Sequence, residues 1–216
     1  MTTSDRGHDR QGQRDDTLVA TLPHVVFDGW TRRALRTGVT DAGHVADMAG
    51  RAFPGGIADL IEHYSNWADR CMVAALDEMD LETLRVRDRV AAGVRARITA
   101  VADHPEAVRR AVALLAMPQN APLAARCTWR TVDTIWYAAG DRSADLNHYT
   151  KRGLLAPVYG ATVLYWLADQ SEGAADTWHF LDRRLDDVLK VPRLGAKLRE
   201  VLASAPNPFR RFLPGT

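Results

Sequence analysis

The sequence predicts an all-α protein of nine to ten helices, and two observations carry that reading. Apolar residues recur at three- and four-residue spacing along almost the whole chain, while the alternation of a half-buried strand is nearly absent. Pro and Gly fall at intervals that would end or open helices, as at Phe53-Pro54-Gly55-Gly56, His104-Pro105, Met117-Pro118 and Pro192. At 216 residues the chain can bury a core without disulfide staples. Cys71 and Cys127 have no CxxC spacing and read as core thiols of a reducing compartment.

The elements follow from that punctuation. Residues 1–17 are polar and charged, which predicts a disordered tail with no signal-peptide apolar run. Leu22 to Thr37 carries Val26, Trp30 and Ala34 on one stripe and stops before Gly38. Asp41 caps a short helix to Ala52, and Gly56 to Leu76 forms a longer one bearing Ile57, Leu60, Ile61, Tyr64, Trp67 and Met72. Asp80 to Val101 sets Leu84, Val90, Val94 and Ile98 against arginines. Pro105 opens a helix to Ala116, and Pro122 to Ala139 is the next. Ser143 to Asp169 follows, with a bend expected at Pro157, then Ala174 to Val191 and a short amphipathic end. No stretch approaches the roughly 18 apolar residues of a membrane span.

Two short helices, a break, a third helix and then six longer ones is a layout that resembles a TetR-type regulator. It implies residues 18–78 as a degenerate helix-turn-helix head and 79–191 as a ligand-binding and dimerisation body, with 192–216 as a C-terminal tail. A DNA-reading head needs cations for phosphates. Between Leu22 and Leu76, five arginines face six acidic residues, and the candidate recognition segment, Gly55 to Tyr64, has no Lys or Arg but carries Asp59 and Glu62. The overall formal charge is only +1. No nucleic-acid partner is expected, although a ligand-responsive repressor remains the alternative reading.

Catalytic signatures are missing. None of the glutamates has a histidine three residues later, and there is no His-Glu-x-x-His, Gly-x-Ser-x-Gly, P-loop or dinucleotide fingerprint. The polar run Gly140-Asp141-Arg142-Ser143-Ala144-Asp145 reads as a helix junction, with Gly140 as a C-cap glycine and Ser143 or Asp141 capping the next helix. The expectation is a protein that is not an enzyme and holds no metal or cofactor.

Residues 129–152 carry a denser signal: Trp129, Asp133-x-Ile135-Trp136, Gly140-Asp141-x-Ser143-x-Asp145 and Asn147-x-Tyr149-Thr150-Lys151-Arg152. Leu155, Tyr159, Asp169-x-Ser171 and Asp176-Thr177-Trp178-x-Phe180-Leu181 continue it, and Phe53-Pro54-Gly55-Gly56 and Met117-Pro118-x-Asn120 precede it. This pattern resembles the accessory family of ubiquinone (coenzyme Q) biosynthesis formed by the ninth Coq protein. The resemblance is dense over 117–186 and looser over 24–116. It implies a TetR-like fold that does not read DNA, a homodimer, a bound isoprenoid or quinone lipid, and a hydroxylase to which that lipid is presented.

Under that resemblance the lipid-lining candidates are Leu114, Leu115, Met117, Trp129, Val132, Trp136, Leu155, Tyr159, Thr162 and Trp166, with plain core packing as the alternative for each. The implied partner surface is Ile135, Ala138, His148 and Tyr149, where His148 replaces an aromatic Trp of the family and removes a typical interface anchor. Pro157 is a second departure. In the tail, Leu194, Leu198, Val201 and Leu202 share one face beside basic residues, which suits docking on a membrane surface or packing back on the domain. The expected location is the cytoplasm of a bacterium, at the inner face of its plasma membrane.

Overall fold

The structure is a computed structural model that describes the backbone of residues 3–142 and 146–190, with side chains described for 10–142 and 148–188. Among the described residues it is all helical, and the chain has the TetR-like fold.

The first helix, α1, runs Thr3–Asp28, so the N-terminal tail is not disordered as its composition suggests. Its charges find tertiary partners. Arg14 Nη2 donates to Asp59 Oδ1 at 2.7 Å, and Asp15 accepts from Arg70 at 2.6 and 2.7 Å while lying 2.7 Å from His63 Nε2. Thr17 and Leu18 are buried. Hydropathy alone misses such a helix because its anchoring is ionic.

The single helix expected over 22–37 is broken. α1 ends at Asp28, Gly29 takes φ +68°, and α2 (Arg32–Asp41) starts behind Thr31, whose hydroxyl accepts from the Ala34 amide. The break lets Trp30 turn inward, where its Nε1 donates to the Ala107 carbonyl at 3.0 Å. Gly38 is where α2 crosses α1: a Cβ there would stand 2.7 Å from Thr21 Cα.

α3 covers only Met48–Ala52 and occupies the recognition position of the head. It is barely over one turn long, and its one cation, Arg51, lies 3.8 Å from Asp47. The segment Gly55–Tyr64, expected to be that recognition element, instead opens the long α4 (Ile57–Asp77). Gly56, at φ +67°, makes the sharp entry.

A 3-10 turn at Leu81–Thr83 precedes α5 (Val86–Thr99), which divides the continuous helix expected over 80–101. α6 (Pro105–Leu115), α7 (Ala121–Ala138), α8 (Leu146–Trp166) and α9 (Ala175–Lys190) complete the body, with α8 running on through Pro157.

Two hydrophobic cores form. One joins α1–α3 to the start of α4, α6 and the start of α7, around Leu22, Phe53, Leu60 and Val108. The other joins the end of α4 to α5, the end of α7, α8 and α9, around Met72, Ile98, Ile135 and Leu181. The tail candidates Leu194, Leu198, Val201 and Leu202 lie outside the described residues, as does Ser143.

Candidate functional site

Between the two cores lies a cavity of about 350 Å³, walled by α4, α5, α6, α7 and α8. Its wall is mostly aliphatic, from Ile61, Ile98, Val108, Val112, Leu115 and Val163. Such a volume sits near the lower end of the roughly 300–1,000 Å³ of small-molecule sites. The cavity exists because small residues line it at helix crossings: Ala111 on α6, Ala124 on α7 and Gly160 on α8. A Cβ built at Gly160 meets nothing within 4 Å.

One end of the cavity is polar and buried. Arg97, 6% exposed, donates through Nε to Asp69 Oδ1 at 2.6 Å and through Nη2 to the Ser65 carbonyl at 3.4 Å. Thr131 Oγ1 donates to the same carboxylate oxygen at 2.8 Å. Burial works against the Arg97 charge, but the Asp69 carboxylate, through its own charge and its hydrogen bond, outweighs it and holds the guanidinium protonated. Burial likewise pushes the Tyr64 and Tyr159 hydroxyls up, so both stay neutral donors. Burial also raises the Cys127 and Cys71 thiols, which disfavours the thiolate form of each.

Of the ten lipid-lining candidates, three line this cavity: Leu115, Tyr159 and Trp166. Leu114 packs against the first core instead, and Met117 is 47% exposed, its sulfur accepting from Gln119. Val132 is fully buried in the second core, to which Trp136 and Leu155 also belong, both lining a small void there. Thr162 is buried with its hydroxyl on the Val158 carbonyl. Trp129 is turned to the surface, stacked on Tyr149 at 6.1 Å.

On the partner surface, Tyr149 is 62% exposed and His148 lies edge-on to it at 5.1 Å. Ala138 is half-buried. Ile135 is fully buried and packs where α7 meets Gly93 of α5. α7 is packed on more than one side, between α4, α5 and α8, so its residues divide among the cavity, the second core and the surface. Tyr64, Arg97 and Thr131 carry a signal that periodicity analysis passes over: Arg97 interrupts the apolar face Val90, Val94, Ile98, and Asp69 sits in the middle of α4 to answer it.

Four charged residues of the motif, Asp133, Asp141, Lys151 and Arg152, form one ionic junction. Arg152, 2% exposed, donates to Asp133 and Asp141, and Lys151 Nζ donates to Asp141 at 2.8 Å, so α7 is locked to α8. Gly140, at φ +91°, closes α7 with its amide on Tyr137 and the Asp141 amide on Trp136, the paired return expected of a C-cap glycine. Asp169-x-Ser171 is a helix-entry clasp. Asp169 accepts from the Thr177 hydroxyl and amide and from Ser171, which holds its carboxyl well below the usual range.

Fold and cavity together define an all-helical protein of TetR-like fold with an apolar interior cavity. A TetR transcriptional regulator from Nitrosomonas europaea superposes with a TM-score of 0.67 at 19% identity, covering 82% of this chain and 97% of that one, which speaks to fold alone. Residues 121–192 match the COQ9 family model, and the chain is a relative of the COQ9 proteins. It is 36% identical over 182 residues to the mitochondrial ubiquinone biosynthesis protein COQ9 of Drosophila melanogaster, covering 82% of this chain and 56% of that protein. It is 30% identical over 181 residues to the rat protein of the same name, covering 81% and 58%. The chain thus spans a little over half the length of the curated relatives it matches.

These relatives overturn the expected location. The proteins from fly, rat, human and Dictyostelium discoideum are all named mitochondrial, and they point to the mitochondrion rather than a bacterial plasma membrane.

Proposed function

We propose that this protein acts in ubiquinone biosynthesis as a non-catalytic carrier that holds a polyprenyl quinone intermediate and hands it to a hydroxylase. The observation that supports this reading is the aliphatic cavity between the two cores, in a chain related to proteins named for that pathway. A prenylated quinone is almost wholly apolar. Each methylene sheathed by protein recovers about 0.8 kcal/mol, so a few isoprene units in the cavity offset much of the cost of leaving a bilayer. Among the described residues no helix is long and apolar enough to cross a membrane, and no cluster of three or more His, Cys, Asp or Glu could hold a metal ion.

Native mass spectrometry of gently purified protein tests the reading. A co-purified prenyl quinone is the expected result; protein that carries no lipid and takes none up from quinone-loaded vesicles would sink it. Gly160→Phe supplies the matching variant. Its ring fills the cavity from an open position, so quinone uptake is expected to fall at least tenfold. Thermal unfolding should hold or rise, because a helix-interior glycine is removed at a gain of up to about 1 kcal/mol. Unchanged uptake would show that lipid does not bind here.

The hydroxylase-facing surface is assigned to the exposed Trp129–Tyr149 stack with His148, an aromatic patch on α7 and α8. A homodimer is assigned to the α8–α9 face, where Leu164 is 58% exposed and Tyr165 stacks on Phe180 at 4.7 Å. Light scattering is expected to give twice the 23.9 kDa chain mass at micromolar concentration; a monomer would refute the assignment.

A further inference from the structure

The cavity is not uniform along its length. At one end its lining includes Ala116 and Leu164, which are exposed and mark the mouth. At the other, Tyr64 is 5% exposed, Arg97 6% and Thr131 1%. The Tyr64 hydroxyl is buried without any hydrogen-bond partner, and so is Asp69 Oδ2, on the carboxylate that holds Arg97. Buried polar atoms in native proteins are nearly always paired, and two orphans around one guanidinium need an explanation.

The Tyr64 ring is held in place. It lies 5.1 Å from Trp30 and 6.2 Å from Trp67, and Trp30 is itself pinned to the Ala107 carbonyl. A hydroxyl fixed in this way cannot swing to a protein acceptor, and Tyr64 is one of the residues that line the cavity. Arg97 and Asp69 cancel in charge, so this end offers hydrogen bonds without a net field for an anion.

We propose that the buried end of the cavity is a head-group site for a neutral, oxygen-bearing lipid. Its carbonyl or ether oxygen accepts from Tyr64 beside the Arg97–Asp69 pair, and its prenyl tail runs out past Leu164. This rests on the lipid-carrier reading and deepens it in two ways. A cavity of about 350 Å³ takes the head and a few isoprene units, leaving the remainder of a long tail outside. A ligand held head-inward also shields the ring that a hydroxylase must reach, so the protein releases its cargo to the enzyme rather than displaying the ring in place.

The test compares three ligands with the same three-isoprene tail: ubiquinone-3, the headless hydrocarbon farnesene, and anionic farnesyl monophosphate. Wild-type protein is expected to bind ubiquinone-3 tightest. Tyr64→Phe, which removes only the hydroxyl, should weaken ubiquinone-3 by about fivefold, the worth of one buried hydrogen bond, and leave farnesene within about twofold. Its melting temperature without ligand should not fall, since the lost group has no partner in the protein. Independently of any variant, the carbonyl infrared band of bound ubiquinone-3 should lie below its position in hydrocarbon solvent. A Tyr64→Phe protein that binds ubiquinone-3 as well as wild type, or loses farnesene equally, overturns the head-group site, as does tightest binding of farnesyl phosphate or an unshifted carbonyl band. If wild type binds none of the three, the lipid-carrier reading itself falls.

Discussion

Asp69→Ala is expected to destabilise the protein by about 3–5 kcal/mol, a large part of the roughly 5–15 kcal/mol that holds a domain folded. The carboxylate answers a guanidinium that is itself almost wholly buried, at 2.6 Å, and it also accepts from Thr131 on a third helix. Its removal leaves the Arg97 charge in a low-dielectric interior with only the distant Ser65 carbonyl as an acceptor. The charge cannot be shed, because a guanidinium stays protonated. A buried ion pair is weak evidence of net stabilisation, since desolvation offsets much of the attraction; the expected cost is that of breaking the pair. The double variant Asp69→Leu/Arg97→Met should therefore recover most of the loss. Urea unfolding of the single and double variants decides the matter. A single variant within about 1 kcal/mol of wild type would mean that water reaches Arg97 and that this end of the cavity is wet.

The sequence makes the fold legible but leaves the cavity obscure, and the reason is the same in both cases. Periodicity reports which face of a helix is apolar, and α4, α6, α7 and α9 appear within a few residues of where their stripes place them. It does not report what each face meets. On α7, Val132, Ile135 and Trp136 are buried against α5 and α8, whereas Cys127, Thr128 and Thr131, less apolar and less conspicuous, reach the void. Trp129 has the look of a lipid-facing residue and lies on the surface, because the stacking partner that holds it, Tyr149, comes from the next helix. A void is defined by what is missing. Gly160 and Ala111 shape this one, and neither carries any hydropathy signal.

The same limit explains the N-terminus and the ionic motifs. The reading of residues 1–17 as disordered follows from their composition, yet Arg14 and Asp15 dock on Asp59, His63 and Arg70 more than forty positions away. The family-like run from Asp133 to Arg152 marks a resemblance in sequence. In space Asp133, Asp141, Lys151 and Arg152 of that run form the clamp that locks α7 to α8, two of the helices that wall the cavity.

Gly38→Ala is the second large effect expected, at about 3 kcal/mol or more, from overpacking that the structure cannot relieve locally. The added methyl would stand 2.1 Å from Thr21 Oγ1, 2.7 Å from Thr21 Cα and 2.8 Å from Thr21 N. A flexible side chain can step aside, but a helix backbone cannot, so α1 and α2 must part. That separation opens the first core around Leu18, Leu22, Leu35 and Val39, which are buried at this crossing. Adding Thr21→Ala should fail to rescue the variant, because the Cα and N contacts remain once the hydroxyl is gone. Gly50→Ala in α3 is the control. Its Cβ meets nothing within 4 Å, so it should be neutral or stabilising by up to about 1 kcal/mol. Urea midpoints for the three variants, with hydrogen exchange read over α1 and α2, check the ordering. Full rescue by Thr21→Ala would show that the hydroxyl alone, and not the close approach of the two backbones, sets the need for glycine.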